Sequence, residues 1–174
     1  NGDDEVTFEV ENACVLYAQL ISNTSVAEIE DAKVVMNALN LIYSEFDSEL
    51  KNFESITKLK TVMNNYICAA GLFLEDNSLE KDVREILELA IKMKELMLKG
   101  ILINGSRVQI KIGIFTGGPL YCGVVGNEIP TFEVIGKGMK MAEELEKRAD
   151  ENQIHMCNYT AEIARSLNLD IVEI

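Results

Sequence analysis

The chain has 174 residues, 48% hydrophobic and 26% charged, enough for one domain with a sizeable buried core. Its formal net charge is −13. That acidity argues against binding nucleic-acid phosphates or anionic lipid through a basic face. It leaves room for a free nucleotide held by a local cation or a metal.

Taken in chain order, "EVENACVLYAQLI" (residues 9–21) reads as a mostly buried strand, and "SNTS" after it supplies a helix start. From residue 26 to about 53 the apolar residues fall at helical spacing: Ile29, Val34, Val35, Ala38, Leu39, Ile42, Phe46, Leu50 and Phe53. Residues 56–72 read as a hairpin with Asn64-Asn65 at its tip, because Asn tolerates left-handed backbone angles. "EDNS" caps a second helix, 79–99, whose inner stripe and rim carry Val83, Ile86, Leu87, Ala90, Ile91, Lys94 and Leu98. "RVQIKIGIFTG" and "GPLYCGVVG" read as strands, and "NEIPTFEVIG" as an extended arm. A third helix over about 137–150, a short strand "IHMC", a short helix "TAEIARSL" and a final strand "DIVEI" close the chain.

The order β-α-β-β-α-β followed by further elements predicts an α+β fold. It is a ferredoxin-like core with C-terminal additions, a mostly antiparallel sheet and helices on one face. Cys14, Cys68, Cys122 and Cys157 are widely spaced, with no CxxC pair, and read as free thiols in a reducing compartment. His155 in "QIHMC" lacks the dense His/Cys spacing of a zinc site.

Four stretches carry a resemblance: "VLYAQLISNTS", "KLKTVMNNYICAAGL", "VQIKIGIFTGGPLYCGVVGN" and "PTFEVIGKGMKMAEELEK". In order and spacing they resemble the catalytic domain of class III adenylate and guanylate cyclases, whose consensus runs LFADIVGFTS, KIKTIGDAYM, LRIGIHTGPVVAGVVG and RYDLWGDTVNLASRME. The likeness spans about residues 6–167. It implies a ferredoxin-like domain that pairs head to tail with a second one. Each site of that pair draws two metal-binding aspartates from one partner, and purine-reading residues with an Asn and an Arg from the other.

Matched position by position, the implied chemistry is missing. Gln19 stands at the first metal aspartate and Asn64 at the second. Gln and Asn keep an oxygen but lose the charge that a hard cation such as magnesium requires. Lys140 stands at the Asn and Glu144 at the Arg, where a negative side chain opposes developing negative charge. The pair also reads as an ordinary i,i+4 salt bridge. Neighbouring Glu75 and Asp76 are acids but lie off the matching spacing. By resemblance the purine-reading side is better kept: Lys60 matches the adenylate cyclase lysine, and Glu133 supplies an acid where such enzymes place Asp. The same two residues also read as a plain ion pair at a groove. The glycines of "GIFTGG" and "CGVVG", namely Gly113, Gly117, Gly118, Gly123 and Gly126, are retained for close packing, as is the arm that crosses the family dimer.

The resemblance thus implies a degenerate cyclase domain, residues 1–174, excised from a longer chain. It would act as a dimerisation or regulatory partner, as a homodimer or beside another cyclase domain, with ATP as a possible ligand. No cofactor is expected. Magnesium or manganese belongs to the alternative, an active adenylate cyclase with unusual ligands. A third reading is a nucleotide or small-molecule sensor using the vestigial groove. No nucleic-acid partner and no direct membrane contact are expected, and the domain would be cytoplasmic, whether or not its parent is membrane-anchored.

Overall fold

The computed structural model of the chain describes residues 7–22, 32–73, 78–103 and 105–169. In order they form β1 (Thr7–Val10), β2 (Ala13–Ser22), α1 (Ala32–Leu50), β3 (Ile56–Val62), β4 (Asn65–Ala70), α2 (Leu79–Leu98) and β5 (Leu102–Ile103). There follow β6 (Ser106–Gly117), β7 (Leu120–Val125), β8 (Thr131–Ile135), α3 (Lys137–Arg148), β9 (Ile154–Met156) and α4 (Asn158–Ser166). The main sheet runs β3-β4-β2-β6-β5, with β9 added against β6. Its pairs are antiparallel except β6 with β9. This is the expected ferredoxin-like core, β2-α1-β3-β4-α2-β6.

β2 lies between β4 and β6 and is buried on both faces, which is why its sequence is a continuous apolar run. Cys14, Leu16, Ala18 and Leu20 pack with Ile110, Ile112 and Ile114 against Phe46 of α1, Ile86 and Met93 of α2 and Ala164 of α4. Ala13 and Val15 face the other way and join Ala69, Leu120, Cys122 and Ala142 in a second core. So α1, α2 and α4 share one face as expected. α3 and a second sheet, ordered β1-β7-β8, lie on the opposite face.

α3 can do so because β6 carries Gly113 beneath it. A Cβ there would run into the Ala142 carbonyl and the Glu146 backbone nitrogen. The helix therefore rests directly on the strand.

Several expectations are corrected. The strand over 9–21 is two strands, broken at exposed Glu11-Asn12, where the chain leaves the small sheet for the large one. The arm is β8, which folds back on β7 as a hairpin partner within the chain. The inner stripe of α2 includes Leu89, Met93 and Met97, while Ile91 and Leu98 are exposed. Ser78 caps α2 by accepting from the Lys81 N–H, which fits "EDNS" as a helix start. The beginning of the first helix, Asn23 to Ser25 and the final strand lie outside the described residues. The four cysteines are free. Burial pushes the Cys14 thiol up to about 12 and raises Cys68 and Cys122 as well, so these thiols stay protonated. No helix among the described residues is long and apolar enough to cross a membrane.

The β3–β4 hairpin closes one residue earlier than the Asn pair suggests. Val62 faces Asn65 across the hairpin, so the tip is Met63-Asn64 and Asn65 opens β4. The left-handed residue is Met63, at φ 53°. A side chain in that conformation costs about 1–2 kcal/mol. Met63→Gly is expected to raise stability by about 1 kcal/mol, read as a higher urea midpoint at unchanged slope.

Candidate functional site

The site positions lie where the β3–β4 tip meets β2 and where the second sheet meets β3. Gln19 stands on the α3 face of β2, opposite Asn65 of β4 and Lys111 of β6. Asn64 is held at the tip beside it. Its Nδ2 donates to the Leu20 carbonyl at 2.7 Å, and the Leu20 N–H donates to the Asn64 carbonyl at 2.9 Å. The Tyr43 hydroxyl of α1 donates to the Met63 carbonyl at 3.1 Å. Burial pushes that phenol up to about 12, so it remains a donor near neutral pH. The tip is thus fixed from two sides.

This arrangement tests whether a divalent ion fits. Magnesium wants anionic oxygens. Gln19 and Asn64 supply no charge, and the Asn64 amide nitrogen is committed to a backbone carbonyl. An aspartate in its place would have no hydrogen to donate. No cluster of three or more His, Cys, Asp or Glu among the described residues could hold a metal. The described residues do not fit the group. Glu75 and Asp76 lie outside the described residues.

Lys60 and Glu133 do come together, at 3.4 Å. A bulge in β3 makes this possible. Lys58 faces Cys68 across the hairpin and Lys60 faces the adjacent Ile67, so the two lysines leave opposite faces of the sheet. Lys58 turns toward α1 and bonds both Asp47 oxygens at 2.8 Å. Lys60 turns toward the second sheet and meets Glu133 of β8. Both partners of that pair are partly exposed, so it contributes less than about 1 kcal/mol.

Lys140 and Glu144 project from α3 as the anticipated i,i+4 pair, 4.0 Å apart, with Lys140 77% exposed. They form no other ion pair among the described residues. Glu144 therefore places a negative group on a partly exposed helix surface, with Lys140 as its ion-pair partner.

Sequence reasoning missed three residues here. Met63 occupies the place of the glycine in TIGDAY, a visible signal for its positive φ. Glu146, matching the last residue of the RME string, is 1% exposed. Tyr43 carried no signal, because its bond to the tip depends on how α1 packs.

An α+β domain with a ferredoxin-like core and a second small sheet has the architecture of a nucleotide cyclase domain. Residues 6–173 match the adenylate and guanylate cyclase catalytic domain, and the chain belongs to that family. The rat guanylate cyclase soluble subunit beta-2 is 26% identical over 94% of this chain and 24% of its own length. The guanylate cyclase domain of RhGC from Catenaria anguillulae, solved with GTP, aligns at TM-score 0.80 and 21% identity, over 91% of this chain and 84% of that one. A non-canonical dimeric guanylyl cyclase domain of the RhoGC fusion protein from Blastocladiella emersonii aligns at TM-score 0.80 and 22% identity, over 91% and 86%. The chain spans between 11% and 26% of the length of the first relatives it matches.

Proposed function

We propose that this domain is a degenerate member of its family. It pairs with a second cyclase domain, either a copy of itself or another, and scaffolds or regulates that partner without cyclising a nucleotide. One observation carries the reading: the Asn64 amide, at the position of a metal aspartate, is spent as a donor to the Leu20 carbonyl. The tip has become a structural clamp, and Gln19 beside it is equally uncharged. Glu144 opposes the remaining half of the chemistry by placing like charge where a transition state would build it.

Pairing is supported by the β7–β8 hairpin. It exposes Tyr121, Val125, Ile129 and Ile135, the last three each more than 60% accessible, a cluster of large apolar side chains that suits burial against another protein. The Blastocladiella domain of the same fold is solved both as a non-canonical dimer and as a monomer, so pairing in this fold is one state among others and the exposed hairpin carries the argument. On this reading Lys60 and Glu133 are the retained purine contacts. They favour ATP over GTP, and the base reaches them by opening their ion pair. The test is an assay for cyclic nucleotide from ATP or GTP with manganese, run alongside sedimentation of the same sample. A paired domain without turnover is expected. Turnover would overturn the reading, and so would a strict monomer that no second cyclase domain engages.

A further inference from the structure

α3 is seated on the sheet over a buried acid with one orphaned carboxyl oxygen. Glu146 is 1% exposed and its Oε1 is buried without a hydrogen bond. It stands directly over Gly113. Among the described residues it takes part in no ion pair. The charged and titratable groups around it come from four elements. Lys111 rises from β6, Tyr17 from β2, and Glu143 and Lys147 from α3 itself. His155 of β9 pairs with Gly113 and also has a buried, unbonded Nδ1. Both neighbouring cations are already in use: the Lys111 Nζ donates to the Lys147 carbonyl at 2.9 Å, capping the end of α3, and the Lys147 Nζ donates to Glu143.

We propose that Glu146 is a proton-operated seat for α3. With a proton on its carboxyl, Glu146 sits neutral in the dry contact, and Lys111 is left to cap the helix. When the proton leaves, a bare carboxylate stands unpaired in that contact, and Lys111 is drawn from the Lys147 carbonyl to neutralise it. The last turn of α3 then loses its cap and opens more readily. The direction agrees with the burial, which holds the Glu146 carboxyl above the usual carboxylate range, with Lys111 and Lys147 pulling the other way. An acid that binds its proton more tightly in the folded chain stabilises the fold fully below the unfolded carboxylate range. That contribution is lost as pH rises through the raised folded value. α3 also carries Lys140 and Glu144, so the proton governs the helix that presents them.

Amide hydrogen exchange across Glu143 to Ala149 tests this. As pH rises from the ordinary carboxylate range to the raised value of Glu146, protection corrected for intrinsic exchange should fall by about tenfold per pH unit. In Glu146→Gln, which mimics the neutral form, it should stay flat. A flat profile in the unmodified chain, or the same fall in the variant, would overturn the proposal. Should the variant not fold, carboxyl NMR of Glu146 in the unmodified chain decides instead. Titration above the usual carboxylate range supports the seat, and titration within or below it refutes it.

Discussion

Gly113→Ala is expected to remove about 3 kcal/mol or more of stability, the upper end of what overpacking costs. The added methyl meets backbone, namely the Ala142 carbonyl and the Glu146 nitrogen, so no rotamer change can relieve it. α3 would have to lift from β6 along its length. That would disturb the contacts of Ala142 in the second core and the Lys111 cap together. Urea unfolding followed by circular dichroism would show the loss as a lower midpoint. Gly105→Ala is the comparison, since a Cβ there meets nothing within 4 Å. Its cost is confined to backbone strain at φ 79°, about 1 kcal/mol. Equal effects at the two positions would mean that α3 is not seated as described.

Asn64→Asp is the second large effect, and it looks like a restoration. It would put a carboxylate where the resemblance implies one, yet it is expected to destabilise by about 2 kcal/mol at neutral pH. The Leu20 carbonyl loses its donor at 2.7 Å and faces an ionised oxygen instead. Asn64→Ala, which removes the bond without adding charge, should cost about 1 kcal/mol. The difference between the two variants should shrink as pH falls through the carboxylate range, because a protonated carboxyl can donate to Leu20 again. The measurement is the urea midpoint of both variants at neutral and acid pH. A variant as stable as the parent at neutral pH would show that the Asn64 amide is no clamp. The aspartate variant should also gain no metal-dependent turnover, since Gln19 remains uncharged and Glu144 remains opposed.

The core topology was legible because it rests on periodicity. The doubly buried run of β2, the stripe of α1 around Ile42 and Phe46, and the Ser78 cap all report local rules that tertiary packing did not override. What was not legible depends on pairing between distant segments. No local pattern says that β1 belongs to a different sheet from β2, or that β8 returns onto β7. The β3 bulge is the sharpest case: Lys58 and Lys60 look equivalent at a spacing of two, and one inserted residue sends them to Asp47 and Glu133 on opposite faces. At the candidate site the residue types were readable in full, including the neutral amides and the Lys140–Glu144 pair. Their employment was not. That Asn64 donates to Leu20, and that Met63 takes the left-handed tip, follow from a hairpin register fixed by the whole sheet.

The central claim is that the family fold here is kept for pairing while its chemistry is gone. The most direct measurement is a cyclic-nucleotide assay on the domain at a concentration where sedimentation shows it paired, with ATP or GTP and manganese in excess. The account predicts no product above the protein-free control from either nucleotide. Cyclic AMP formed by the paired domain, and abolished by Glu133→Ala, would contradict it.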